Sequence, residues 1–585
     1  MRKEILLSKL DEYVVNKDAL SDRQLSDKWQ VVPYETDSVS GNMLLAGECA
    51  QPPEIELKLG VEGFYRISLC MTDLCNGGAS GAELSLSGER NRTYVRTSHL
   101  ECVNGNWRWA GYEYAEEDDF IVADLTGKSL FINKPDNGRI SSCAVLFIRL
   151  TPVESDELAE LSRQTLPAIM YHYDEDYYNE CDYAAPSEYA GRVEMLRYGN
   201  GCALINETFY DDAEITDRNT EVSYIRFRSG IDRTAQKYLR NKTAIKKVVV
   251  DAAHSMGLTA LAGNRMELGD FVLPYAEQSY NSGEVTRYPE FRCRTRDGRY
   301  IAALSYAYPE VRKIAVEKIL RFADGFDGVS LFFHRGVHVA FEEPVKAAVR
   351  EKYGVDASLL PFSDKRLSGV LCGFMTEFMR ELKAALVEKA AKENHPDYKV
   401  TVVVFYDAES SEQFGLDVKT WAEEGLTDGV AQGLMKHYED LEGCMSDDDP
   451  SLISLGKYVR KRASAPVLKR YYGDDAETVV KGFGSLKRAV EGSKAEVYAA
   501  LAWEGRTPEY QTALAEKLYA AGAEKFICWN ANHIATKLPT LKAIKLVGNK
   551  EKLLAEGKTA EFRKVYRILN IGGYDISDFN PNWRG

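Results

Sequence analysis

Eight short apolar runs separated by amphipathic stretches constrain this chain more than any other feature. They read Ala168-Ile169-Met170-Tyr171, Cys202-Ala203-Leu204-Ile205-Asn206, Leu258-Thr259-Ala260-Leu261-Ala262, Val329-Ser330-Leu331-Phe332-Phe333, Val402-Val403-Val404-Phe405, Gly429-Val430-Ala431-Gln432, Val497-Tyr498-Ala499-Ala500-Leu501 and Phe526-Ile527-Cys528-Trp529. Strands covered on both faces read as uninterrupted apolar runs of this kind. Between them the spacing predicts helices, among them Thr243 to Ser255, Arg312 to Phe322, Leu371 to Ala390 and Pro508 to Ala521, the last stopped by Gly522. Eight alternating βα units point to an α/β fold closed as a TIM barrel, with chemistry expected where the strands end. Pro466-Val467-Leu468-Lys469 is a ninth candidate run.

The texture before this region differs. Leu6, Leu7, Leu10, Tyr13 and Val14 have helical spacing, which predicts a helical lead-in over 1–28. From 29 to 155, segments such as Glu54 to Leu59, Phe64 to Leu69 and Ala144 to Leu150 alternate apolar and polar residues between Gly, Asn and Asp turns. That pattern predicts an antiparallel β-sandwich, an accessory domain whose Trp107, Trp109 and Tyr112 could meet a sugar or a neighbouring domain. The barrel is expected over 156–536. A tail over 537–585 is expected to pack on the barrel or the sandwich. No long linker or internal sequence repeat stands out, so docked domains are expected.

The 585 residues carry a formal net charge of −15, which argues against nucleic acid, because binding phosphates relies on clustered Lys and Arg. No run reaches the roughly 20 apolar residues of a membrane span, and the amino terminus lacks a signal-peptide core, so a cytoplasmic location is expected. The 11 cysteines show no CxxC or paired spacing and read as reduced core residues. The 8 histidines lack zinc spacing, Asp447-Asp448-Asp449 lacks the spaced ligands of a calcium loop, and no phosphate loop or Gly-x-Ser-x-Gly elbow occurs. Neither metal nor organic cofactor is therefore expected, and the oligomeric state is left open.

In chain order, Gly257-Leu258-Thr259-Ala260, Asn264-Arg265-Met266-Glu267, Tyr308-Pro309-Glu310-Val311-Arg312 and Phe326-Asp327-Gly328-Val329 are followed by Gly415-Leu416-Asp417-Val418-Lys419-Thr420-Trp421. Glu424-Gly425-Leu426-Thr427-Asp428 and Leu518-Tyr519-Ala520-Ala521-Gly522-Ala523 complete the set. From about Leu166 to Asn532 the chain thereby resembles the bacterial family-10-like glycosyl hydrolases. The resemblance implies a TIM-barrel glycoside hydrolase acting on a carbohydrate, often with an accessory β-sandwich. Many relatives carry an acid after the Asp-Gly strand, where this chain has Phe333-His334-Arg335.

Glycoside cleavage usually uses two carboxyl groups flanking the bond. By analogy with related barrels the nucleophile stands after the seventh strand, where Ala502 leads into Trp503-Glu504-Gly505-Arg506, and Glu504 is the first choice; a rim ion pair with Arg506 is the structural alternative. Glu342, or Glu343 beside it, is the candidate acid, against the alternative that both mark a helix start before Pro344. Asp407 is a third catalytic candidate. Glu207, Glu267, Arg265, Trp503, Arg506, Trp529 and Asn530 are expected at the rim as substrate contacts, and Tyr171, His172 and Tyr173 as hydroxyl-rich ones. His334 and Arg335 either face a carboxylate or acidic sugar, or form an ion pair with Glu342 or Glu343. Two other functions stay open: a non-catalytic carbohydrate-binding or scaffold protein, and a lyase acting on a sugar acid.

Overall fold

The computed structural model describes residues 2–72, 79–88, 93–97, 100–103, 106–109, 114–134, 140–162, 168–173, 186–194, 196, 199, 201–207, 232–266, 288–334, 337–433, 476–502, 508–531, 538–557, 559–560, 562 and 564–576. Arg335, Glu267, Trp503, Glu504, Arg506, Tyr112 and the ninth run at 466–469 lie outside them, as do the side chains of Trp107 and Trp109.

The amino-terminal part carries β1 (Ile5–Leu7), β2 (Leu20–Ser21), β3 (Trp29–Thr36), β4 (Ser40–Ala46), β5 (Ile55–Lys58), β6 (Phe64–Thr72), β7 (Ala79–Leu86) and β8 (Thr93–Arg96). A separate pair, β9 (Leu100–Val103) and β10 (Asn106–Trp109), precedes β11 (Tyr114–Asp124), β12 (Ser129–Asn133) and β13 (Ile140–Pro152). Pairing in the main sheet is almost wholly antiparallel, and alternate residues point to opposite faces, as in β12, where Leu130 and Ile132 are buried. One core gathers Trp29, Leu57, Ile67, Leu69, Leu84, Ile132 and Ile148; a smaller one holds Val32, Tyr34, Cys70, Phe147 and Ile568.

The lead-in is not the helix that its spacing suggests. Ile5–Leu7 is a strand paired with β13, Ile5 facing Leu150, and only two short pieces turn helical, Leu10–Tyr13 and a 3-10 turn at Lys17–Ala19. Four residues are too few to sustain a helix alone, and β13 offers an edge that satisfies the backbone instead.

Beyond residue 168 the chain alternates as expected. β14 (Ile169–Tyr173), β15 (Gly201–Glu207) and β16 (Thr259–Arg265) are followed by a hairpin of β17 (Arg292–Arg294) and β18 (Tyr300–Leu304). Then come β19 (Gly328–Phe332), β20 (Lys399–Val404), β21 (Gly429–Gln432), β22 (Glu496–Ala502) and β23 (Lys525–Trp529). The barrel closes in the order β14-β15-β16-β19-β20-β21-β22-β23, every pair parallel, with β23 returning to β14. This is a TIM barrel.

Two Asp-Gly pairs show how the barrel closes. Asp327 Oδ2 accepts the Ala260 N–H of the neighbouring β16 at 2.8 Å, and Asp428 Oδ2 accepts the Val400 N–H of β20 at 2.8 Å. The glycine after the first must lack a side chain, since a Cβ on Gly328 would lie 2.2 Å from the Lys399 carbonyl oxygen. Helix Pro508–Ala520 ends near Gly522, whose φ of +84° lets the chain turn back into β23.

After the barrel, helices Leu538–Val547 and Lys550–Glu556 lead to β24 (Lys564–Ile571) and β25 (Tyr574–Asp575). Strand β24 lies between β3 and β11, antiparallel to both, and places Ile568 in the smaller amino-terminal core. The two ends of the chain thus share one sheet. Among the described residues no helix is long and apolar enough to cross a membrane.

Candidate functional site

Residues of each barrel strand point alternately into the lumen and out to the helices. Met170, Ile205, Leu261, Phe332, Val403, Ala431, Tyr498, Ile527 and Trp529 form the inner packing, while Tyr171, Tyr173, Leu204, Leu331 and Val402 belong to the outer core. Parity carries the last residues of several strands to one place at the carboxyl mouth. His172 follows Met170 inward by two, Glu207 follows Ile205, Arg265 follows Leu261 by four and His334 follows Phe332.

These residues meet. Glu207 and His172 are buried, and His172 Nε2 lies 2.8 Å from Glu207 Oε1. Arg265 reaches the other oxygen with Nε at 3.0 Å and Nη2 at 2.9 Å. The backbone N–H of Asn530 donates to His172 Nδ1 at 3.2 Å, so the ring proton sits on Nε2 and points at Glu207. Asn530 does this from a left-handed backbone, φ +50°, a conformation that asparagine tolerates better than most residues. One chain of contacts therefore links the ends of β23, β14, β15 and β16.

An aromatic floor supports the cluster. The Trp529 ring lies edge-on to His172 at 4.8 Å and to His334 at 5.0 Å, and Phe332 lies 5.1 Å from His172. Trp529 donates its indole N–H to the Gln432 carbonyl oxygen at 3.3 Å, which fixes the ring. Gly433 keeps room beside His334: an added Cβ there would come within 3.1 Å of the His334 Cβ and 2.1 Å of the Val404 carbonyl oxygen.

Other candidates fall elsewhere. Tyr171 and Tyr173 do not line the mouth as expected; they point outward into the helix layer, because strand parity gives the lumen to His172 between them. Burial raises the Tyr171 hydroxyl well above its ordinary range. Glu343 begins helix Glu343–Tyr353, lies largely in solvent and pairs with Lys346 at 3.5 Å, which favours the helix-start alternative. Glu342 is fully buried just before that helix, where both its oxygens accept the Ala340 N–H, at 2.9 and 3.2 Å. Burial raises its carboxyl above the usual range, opposed by hydrogen bonds from backbone N–H groups and from Cys293 and Ser305. Asp407 caps helix Ala408–Gln413, its Oδ1 accepting the Ser410 N–H at 2.7 Å.

Sequence reasoning missed two contributors, the backbone N–H of Asn530 and the space left by Gly433. The first left no side-chain signal; the second was a glycine directly after a strand. Buried His338, whose Nε2 donates to the Phe333 carbonyl oxygen at 3.0 Å, supports the loop after β19. Tyr306 braces the same region by donating its hydroxyl to the Met266 carbonyl oxygen at 2.8 Å.

Comparison with known proteins adds fold likeness only. No protein-family model and no curated sequence matches the chain. Among solved structures it resembles the β-galactosidase from the psychrophilic Marinomonas ef1, with 11% identity, a TM-score of 0.41 and 68% of this chain covered. The chain spans 61% of that enzyme's length. It also resembles the glycoside hydrolase domain of PgaB (BpsB) from Bordetella bronchiseptica, at 12% identity and TM-score 0.38, over 66% of this chain and 99% of that one. A ruminal GH26 endo-β-1,4-mannanase is similar at 10% identity and TM-score 0.30, over 92% and 91% of the two chains. These neighbours are glycoside hydrolases of more than one kind, and none points to family 10; at such scores the assignment of the barrel rests on its own strand pairing.

Proposed function

We propose that the protein hydrolyses glycosidic bonds at the carboxyl mouth of the barrel, as its resemblance to the family-10-like glycosyl hydrolases implies. The observation that carries this reading is Glu207, a buried carboxylate at a strand end, oriented by His172 and ion-paired with Arg265 above an aromatic floor. A carboxylate so held stabilises positive charge developing at an anomeric carbon. Glu504, two residues past the end of β22, is the proposed second carboxyl group. It would attack the anomeric carbon or activate water while Glu207 supplies the electrostatic partner, and the departing oxygen takes a proton from solvent water as its bond to the anomeric carbon breaks. Glu342 is too sequestered for the acid role first given to it.

The test is release of reducing ends or aryl aglycones over a broad panel of oligosaccharides and aryl glycosides. Wild type should turn over at least one, and Glu207→Gln and Glu504→Gln should each lose about 100-fold or more. A second reading, a carbohydrate-binding barrel without turnover, is favoured by His334 standing where relatives carry an acid and by the three donors already on Glu207. Binding of a sugar by wild type without release of any product would select it.

A further inference from the structure

The hairpin β17–β18 lies in the connection that leaves the carboxyl end of β16 and returns through helix Pro309–Phe322, so it stands on the mouth side of the barrel. Arg292 and Arg294 are two residues apart on β17 and share a face. Tyr300 is the residue opposite Arg294 across the hairpin. The Arg294 guanidinium lies 4.3 Å from the centre of the Tyr300 ring and donates to its hydroxyl at 3.0 Å; Arg292 approaches the same ring at 6.0 Å. Tyr300 is 51% exposed, so a rigidly held aromatic ring faces solvent.

Among the described residues Arg294 otherwise donates only to the Gly298 carbonyl oxygen, at 3.3 Å, and no carboxylate of theirs lies within ion-pair reach of it. The nearby Asp297 is taken by Arg299 at 2.8 Å, and Glu343 by Lys346. In a chain with 89 acids and 74 Lys and Arg, a guanidinium kept clear of carboxylates is a local attractor for anions. Beside β17 in sequence, half-buried Phe291 stands 5.1 Å from Tyr308 and 6.1 Å from Tyr288. Arg294 also acts on the Tyr308 hydroxyl, which burial and the charge of Glu342 raise and Arg294 opposes.

We propose that this face is a subsite for an acidic sugar unit, with the pyranose ring stacked on Tyr300 and its carboxylate held by Arg294. The inference rests on the carbohydrate reading above and narrows it to substrates containing uronic acids. Guanidinium suits the task because its planar fork meets a carboxylate through two parallel hydrogen bonds.

Calorimetric titration of the full chain with trigalacturonate, trimannuronate and cellotriose at low salt tests it. At least one acidic trimer should bind tenfold or more tightly than cellotriose. Arg294→Gln and Tyr300→Ala should each remove most of that preference, and Arg294→Lys, which keeps the charge but loses the fork, should keep part of it. Thermal midpoints of the variants near that of wild type confirm folding. The proposal is overturned if no acidic trimer outbinds cellotriose, or if Arg294→Gln and Tyr300→Ala both leave the preference intact. Failure of hydrolysis over the glycoside panel is a separate result and bears on the reaction alone.

Discussion

His172 donates its Nε2 proton to Glu207 Oε1 at 2.8 Å from the adjacent barrel strand, and the Asn530 N–H on Nδ1 is what leaves that proton there. Arg265 completes the arrangement on the other oxygen. Loss of the Glu207 charge would take this carboxylate from a largely buried guanidinium. Glu207→Gln is therefore expected to lower unfolding free energy by about 3 kcal/mol, read from urea denaturation. Adding Arg265→Met to that variant should recover part of the loss, and a strictly additive double mutant would refute the coupling.

His338 predicts a pH dependence. Burial lowers its pKa from 6.5 to about 4, so the unfolded chain binds the proton that the folded one refuses. Its contribution is complete above pH 6.5 and is lost as pH falls toward 4, by at most about 3 kcal/mol. His338→Gln keeps a donor for the Phe333 carbonyl oxygen but cannot titrate. Denaturation between pH 7 and 4 should show a shallower decline in this variant than in wild type; parallel curves would contradict the assignment.

Strand β24 predicts a dependence of the amino-terminal sheet on the far end of the chain. Ile568 is buried in its smaller core, and the Tyr566 hydroxyl joins Glu117, whose carboxylate also accepts from Arg149 Nε at 2.5 Å. Ile568→Ala should cost about 3 kcal/mol, by lost burial and a cavity. Truncation before residue 564 should make the amino-terminal sheet sensitive to limited proteolysis while the barrel persists as a protected fragment.

Two glycine substitutions should have opposite signs. Gly373 lies inside helix Lys365–Glu393, where an added Cβ meets nothing within 4 Å, so Gly373→Ala should stabilise by about 0.5–1 kcal/mol. Gly328 opens β19 against the Lys399 carbonyl oxygen, and Gly328→Ala should destabilise by about 1–3 kcal/mol. Thermal midpoints moving in the same direction would contradict the pair.

The eight barrel strands were legible because a parallel strand covered on both faces reads as an apolar run, as Val402 to Val404 do. The amino-terminal sheet was legible because one-sided burial enforces alternation, as in Ser129–Asn133. Such patterns arise from local chemistry and survive in one dimension. What only the tertiary structure decided was which neighbours each residue meets. Tyr171 and His172 read alike as polar-tipped rings, yet one faces helices and the other Glu207, because the barrel sets the inward parity. Glu342 and Glu343 stand side by side in sequence, but one is sealed beneath the Ala340 N–H and the other lies in water. Strand β24 has its place only because residues more than 400 positions away offer it open backbone edges. Periodicity encodes how much of an element is covered; which residue covers it is a matter of contacts between distant segments, and those form only when the chain closes on itself.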